Sequence, residues 1–434
     1  MKEIIRENRL ELVLIALTFV SLFVHAIPPV PFAALCLLIM FSRLNALGII
    51  LICVYAAPKL AGAIFLVYKL PGIGGALILL PPLLILYKCF MTKELTLKKI
   101  YKVAPPFLLF GGYLLASVWI WGNDWSITKF TNTVSNGVVA FLAYAAVFSN
   151  YKKCNFIRTG LYFFLIAFLL LLLSPLFNHG SGPSGLFDFA YLRMQNGEWG
   201  DREVSGIIAY QQVGLVAVLG FGTLMLEELK GKIDIVFLFI ALLISTIASF
   251  YAGARQFIIV SILLIVIWTF FEKKGATANV FFPVISILIL LFLTEMLFST
   301  GGLLNNVLTD GYLEASKRGD HIAQGIKDFN SSPLYGIGYG CFKLNGEFGG
   351  YPHNLIVEIL AELGVIGLVL FWVPLCTPIW SLFRKMRPCL YLMVIYFFRS
   401  MASGGLDTNI FLFSYILAFY SCFGGFSYNK INRR

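Results

Sequence analysis

The chain keeps returning to runs of about twenty apolar residues, the length an α-helix needs to cross a hydrocarbon core. Fourteen such runs can be marked, at 10–27, 29–42, 44–68, 71–90, 103–122, 132–149, 159–178, 206–226, 233–250, 256–271, 277–297, 354–378, 388–402 and 409–426. The pair 29–42 and 44–68 sets the lower limit, because the first is brief and Pro-rich at its start and the second is interrupted by Pro58-Lys59. Only 13% of the 434 residues are charged and 59% are hydrophobic, with a mean hydropathy of +0.85. A soluble domain of this length needs more charge to cover its surface. Composition therefore excludes a cytoplasmic enzyme, a secreted disulfide scaffold, a disordered tail and a nucleic-acid-binding domain. The expected fold is all-α, a polytopic transmembrane helical bundle of about 12–14 spans embedded in a lipid bilayer.

The net charge of +11 could suggest a polyanionic partner, but the positions of the basic residues explain most of it. Lys and Arg gather in alternate short loops: Lys93, Lys98, Lys99 and Lys102; Lys152, Lys153 and Arg158; Lys230 and Lys232; Lys273 and Lys274; and Arg384, Lys385 and Arg387. Both termini share that side, and with Arg43 and Lys88 it holds 22 of the 33 basic residues. Such loops stay cytoplasmic, so both ends are expected inside, with an even number of spans. The segment MKEIIRENR leads into an apolar run with no small-residue cleavage site, which reads as an uncleaved first span. The eight Cys form neither a CxxC pair nor a Cys/His cluster with zinc spacing, and only Cys341 falls in a sizeable outside loop.

The expected organisation is transmembrane helices over 1–178, an external loop at 179–205 and transmembrane helices over 206–297 that include a turn at Arg255. A large external loop at 298–353 carries short helices, further transmembrane helices cover 354–426, and a cytoplasmic tail covers 427–434. Long loops on a rigid scaffold are where sites usually sit, although either could be a mere connector. In the second loop, Ile322, Ile326 and Phe329 recur at helical spacing, which predicts an amphipathic helix over 318–330. Pro333 and the glycines of Ser332-Pro333-Leu334-Tyr335-Gly336-Ile337-Gly338-Tyr339-Gly340 then end it in a tight turn. Taken alone, this helix could equally lie on the membrane surface.

His353 follows at the mouth of a span, with Asn354 placed to cap the helix and Glu358 and Glu362 on one helix face. Carboxylates inside a membrane are costly and usually functional, with part of that cost offset near a helix N-terminus. They could also simply hydrogen-bond a neighbouring helix. A neutral His can take a proton from a hydroxyl near physiological pH, or be only a satisfied interfacial side chain. Arg255, in the short outside turn Tyr251-Ala252-Gly253-Ala254-Arg255-Gln256, could snorkel to headgroups or grip a phosphate in bidentate fashion. Arg202 stands before a span on the same side. Arg202, Arg255, Arg318 and His353 are expected to converge at one membrane face, where a basic cluster calls for an anionic ligand.

The spacing His353-Asn354…Glu358…Glu362-Leu363-Gly364…Gly367, preceded by Arg318…Pro333-Leu334…Gly336…Gly338…Phe342, resembles the shared region of Wzy-type O-antigen polymerases and WaaL-type O-antigen ligases. Gly253-Ala254-Arg255 looks like the start of that region, and Arg202…Gly206 with Gln211-Gln212 like a looser upstream element; the likeness spans roughly residues 200–370. It implies a GT-C-like membrane glycosyltransferase at the outer face of the bacterial inner membrane, with a glycan on undecaprenyl pyrophosphate as donor and neither metal nor other cofactor. The lack of an outside Asp-x-Asp motif agrees with a metal-free route. His353 would be the general base, Arg255, Arg318 and Arg202 would bind pyrophosphate, and Asn354, Glu358, Glu362 and His321 would support them. A chain-length regulator is an implied partner. Two departures stand out: His321 where many relatives have Trp, and Ala254-Arg255-Gln256 where many have Ser-Arg-Gly.

Within this reading the chain is a polymerase of O-antigen or capsule, adding the lipid-linked chain to the next lipid-linked repeat unit. A ligase, passing the same donor glycan to lipid A–core, is the alternative. A lipid-linked-oligosaccharide flippase is a third reading. Its requirements are internal repeats and charges along a path. No repeat relates the halves, and Lys59, Arg399 and Asp407 are the internal charges that would suit such a path.

Overall fold

The computed structural model describes residues 2–24, 27–67, 83, 86–87, 101, 103–173, 176, 210–230, 235–252, 254–272, 318–344, 346–348, 350–385, 387–402 and 405–423. Apart from one two-residue antiparallel ladder, the regular structure there is helical. In chain order the α-helices are α1 (Lys2–Glu7), α2 (Arg9–Val24), α3 (Pro29–Arg43), α4 (Ala46–Val67), α5 (Ala104–Trp121), α6 (Asp124–Ser149), α7 (Phe156–Leu173), α8 (Tyr210–Met225), α9 (Ile235–Tyr251), α10 (Arg255–Glu272), α11 (Arg318–Ser331), α12 (Leu355–Lys385), α13 (Leu390–Ala402) and α14 (Leu406–Phe423). The strands β1 (Lys343–Leu344) and β2 (Glu347–Phe348) form the ladder. Among the described residues, six helices are long and apolar enough to cross a membrane, and five shorter ones are apolar. The protein is thus an all-α polytopic membrane protein. The expected run at 71–90 apart from residues 83, 86 and 87, the run at 277–297, the loop 179–205 with Arg202, and residues 298–317 lie outside the described residues.

The helices fall into two compact units. The first comprises Met1–Tyr87 and Tyr151–Thr309. Its centre is α7, buried along nearly its whole length. Gly160 of α7 and Gly220 of α8 let the two backbones touch: a Cβ on Gly160 would lie 2.8 Å from the Gly220 carbonyl oxygen, and one on Gly220 would lie 3.0 Å from that of Gly160. Lipid offers no hydrophobic drive to bring helices together, so close approach through small residues supplies the packing. At one end of α7 the buried carboxylate of Glu11 takes Arg43 Nε at 2.8 Å, Arg158 Nε at 3.2 Å and the Tyr162 hydroxyl at 3.2 Å.

The second unit comprises Lys88–Asn150 and Asp310–Arg434. Its core is aromatic. Tyr144 meets Tyr415 edge-on at 4.9 Å, and Phe371 lies 5.1 Å from Phe413. Polar groups inside it find partners: the Tyr144 and Tyr396 hydroxyls bond each other, Tyr415 donates to the Cys389 carbonyl at 2.7 Å, and Ser414 to that of Gly137 at 2.8 Å. The outward face of α12 carries an exposed apolar stripe of Val365, Val369, Val373 and Trp380, the pattern of a lipid-facing helix.

Two elements depart from expectation. The helix α6 begins at Asp124, eight residues before the apolar run starts, because Asn123 and Ser126 form a reciprocal cap at its N-terminus, each bond 3.1 Å. And α12 is two helices joined at Gly364, whose φ of 64° and ψ of −166° are not helical. That break leaves orphan carbonyls on the first half and orphan N–H groups on the second. The turn after α11 answers both. Ile337 and Gly338 donate to the carbonyls of Ala361 and Glu362 at 2.9 and 3.0 Å, while the carbonyls of Pro333 and Leu334 accept from Val365 and Ile366 at 2.9 and 3.3 Å. The Leu363 carbonyl accepts from the Tyr113 hydroxyl of α5 at 2.9 Å. Each such group left bare would cost about 1–3 kcal/mol, so the turn and the break exist for one another.

Candidate functional site

His353 ends the loop that leads into α12 and holds a φ of 58°, the one positive value on a non-glycine residue among those described. The conformation is held from both sides. Asn354 caps α12, its Oδ1 accepting from the N–H groups of Ile356 at 3.0 Å and Val357 at 3.2 Å. The His353 ring is stacked on His321 of α11, centroids 5.2 Å apart and 19° from parallel, and meets the Tyr351 ring edge-on at 4.5 Å. His321 is 3% exposed; His353 is only partly buried.

The helix α11 spans Arg318–Ser331, close to the predicted 318–330. It seats on the first half of α12 by a different face from the one its apolar residues suggest. Ile326 is exposed, while His321 and Gly325, one turn apart, are buried. A Cβ on Gly325 would meet Val357 at 2.6 Å and Pro352 at 3.2 Å. A glycine thus allows the helix to come close enough for His321 to reach His353.

Below His353 the two carboxylates of α12 share a cation that sequence reasoning missed. Lys129 of α6 lies 2.7 Å from Glu358 Oε1 and 2.7 Å from Glu362 Oε2, and all three side chains are buried. Glu358 Oε1 also accepts from the Leu406 N–H, the first of α14, at 2.9 Å. Lys129 Nζ stands 4.9 Å from the Tyr339 ring centroid, and Tyr339 in turn shares a hydrogen bond with Thr133 and takes Ser117 Oγ on its backbone N–H at 2.8 Å. Tyr339 lies in the turn between α11 and α12, and burial pushes its phenol well above its usual range. The cap box at Asn123 starts the helix early and so brings Lys129 inside it, but gives no sign of what the lysine faces.

Of the other predicted residues, Arg318 is the first residue of α11 in the second unit, and Arg255 the first residue of α10 in the first unit. Arg202 lies outside the described residues. The structure therefore gathers His353, His321, Asn354, Glu358 and Glu362, with Arg318 opening the helix that carries His321. No group of three or more His, Cys, Asp or Glu suited to a metal is present among the described residues. Chemically, the arrangement offers one partly accessible imidazole on a fixed backbone, above two carboxylates that share the Lys129 ammonium.

The family model of the O-antigen ligase matches residues 233–372, which include Arg255, Arg318, the turn at 333–340, His353, Glu358 and Glu362. No curated protein and no solved structure matches the chain.

Proposed function

We propose, from the premise that this chain belongs through residues 233–372 to the O-antigen ligase and polymerase family, that it is a polysaccharide polymerase. In this reading it transfers a glycan from undecaprenyl pyrophosphate onto the next lipid-linked repeat unit at the outer face of the inner membrane. The observation that carries the reading is His353: an imidazole held at a strained backbone by a capped helix start, stacked on His321 and braced by Tyr351. Strain of this kind, about 1–3 kcal/mol, persists at sites where geometry matters.

His353 takes the proton of the acceptor hydroxyl as that oxygen attacks the anomeric carbon of the donor. The glycosidic bond to the pyrophosphate breaks, and the lipid pyrophosphate leaves with the bonding pair. Arg318, Arg255 and Arg202 are assigned to the developing negative charge on the sequence resemblance, since guanidinium forks suit phosphate oxygens. Lys129 forms ion pairs with both Glu358 and Glu362 below it.

An aromatic-rich amino-terminal half favours the polymerase over the ligase, whose acceptor is lipid A–core. Transport is less well supported. In transporters, broken helices leave their ends open to substrate, whereas the ends at Gly364 are filled by the protein's own turn. The test is complementation of a strain lacking the gene, read as glycan banding, with His353→Ala, Arg255→Ala and Arg318→Ala and each membrane level checked. Loss of the ladder with one capped repeat unit retained is the expected result. Loss of all acceptor-linked glycan, with long lipid-linked polymer accumulating, would establish the ligase instead. Wild-type banding in all three would remove the catalytic assignment.

A further inference from the structure

We infer that Lys129 is a positioning residue for the proposed transfer reaction: it sets the rotation of the half-helix that presents His353. The inference rests on the assignment of His353 as the base, but Lys129 lies outside the matched residues 233–372 and on a different helix.

The geometry is specific. The first half of α12 runs only from Leu355 to the break at Gly364. A segment so short, cut from the rest of its helix, has no axial stiffness of its own to fix which way its N-terminal residues face. Two side chains on one of its faces, Glu358 and Glu362, are a turn apart. Both end on the same ammonium, at 2.7 Å each. Two contacts a turn apart along one face add a hold on the rotation and tilt of this half-helix to the one that the turn at 333–338 places at its far end. The anchor is itself fixed. Lys129 is 4% exposed on α6, over the Tyr339 ring, and Tyr339 is tied to Thr133 of the same helix and to Ser117 of α5. Through Glu358 the same cation reaches the first N–H of α14. Three helices thereby meet at the base of the half-helix whose tip is His353-Asn354.

A buried cation in a membrane span is costly, and a charge-balanced fold alone does not need it. Neutral, well-packed side chains of similar volume often replace buried ion pairs without loss of stability. What neutral side chains would not supply is the two-point hold.

The experiment measures transfer from lipid-linked donor in detergent, with the acceptor varied to separate kcat from KM. Lys129→Met, Lys129→Arg, the triple variant Lys129→Met/Glu358→Gln/Glu362→Gln and His353→Ala are compared at matched folded protein. Lys129→Met leaves two facing carboxylates and is expected to accumulate poorly; the triple removes that imbalance and decides the matter. The triple is expected to melt like wild type, with KM within a few-fold and kcat down about 100-fold, the scale of a misplacement near 1 Å. Lys129→Arg, which keeps both ion pairs, is expected to recover most of the turnover. If the triple turns over like wild type, or loses only KM, Lys129 merely balances charge and the inference falls. If the triple fails to fold, Glu362→Gln decides, since it keeps the Lys129–Glu358 pair and its charge balance but removes the second ion pair: a lowered kcat at unchanged KM supports the inference, and wild-type turnover overturns it. His353→Ala separates the two claims. Activity in that variant would overturn the base assignment, whereas its inactivity beside a fully active triple would overturn only the role of Lys129.

Discussion

The cap at Asn354 is the smallest unit on which the site depends. Its side chain satisfies two N–H groups that α12 cannot satisfy itself, and it fixes the chain direction just after His353. Asn354→Ala is expected to cost about 1 kcal/mol, seen as a lower apparent melting temperature in detergent, while Asn354→Asp stays near wild type because the aspartate oxygen accepts the same bonds. A melting temperature unchanged by the alanine would mean that the cap is not holding the helix start. This residue was legible in the sequence because a cap is a local device: the signal is an Asn directly before an apolar run. The partner of Glu358 and Glu362 was not legible. Lys129 is far away in the chain, and nothing in the periodicity around the carboxylates indicates what they face.

At the scale of elements, the break in α12 and the turn at 333–338 form one device made of two segments. Neither conformation is stable without the other, and glycine is required where they touch. A Cβ on Gly336 (φ 73°) would lie 2.2 Å from the Glu362 carbonyl carbon, and one on Gly364 (φ 64°) 2.3 Å from the Leu334 carbonyl oxygen. Gly336→Ala and Gly364→Ala are each expected to cost roughly 2–3 kcal/mol or more, since backbone strain and a clash with backbone add. Gly319→Ala is the control: it sits in α11 with open space around its Cβ and should melt at or slightly above wild type. Equal behaviour of all three would deny the device. Apolar runs located the helices well, because hydropathy reports what lipid requires of every span. They missed the break, because Gly364 sits inside the run 354–378 and only the distant turn makes a non-helical φ affordable there. They predicted α11 but not how it seats, where close approach at Gly325 outweighs the larger apolar side chains.

For the whole molecule, the proposed function is tied to sidedness, and the second unit contains a ruler for it. The helix α6 has its start beside the turn that leads to His353, where Asn123 Nδ2 reaches the Gly340 carbonyl at 3.5 Å. Its far end lies beside α14, where Ser149 Oγ and Cys422 Sγ are 3.4 Å apart. With 26 residues, α6 separates these two levels by about 39 Å, more than a hydrocarbon core. The loop holding His353 and the end of α14 are therefore expected on opposite sides of the membrane, and Lys152 and Lys153 follow α6 directly in the chain. Basic residues of short loops remain inside, so the His353 loop is expected outside and the chain end after Phe423 inside. Two measurements check this in intact spheroplasts. A reporter that fluoresces only in the cytoplasm, fused after Arg434, should be bright. Cysteine placed by Lys343→Cys, at an exposed position on β1, should react with a membrane-impermeant maleimide without permeabilisation. The reverse pattern, a dark reporter and labelling only after lysis, would put His353 on the cytoplasmic side. A donor whose glycan is extended at the outer face could not reach it there, and the proposed polymerase would have to be abandoned whatever the family match.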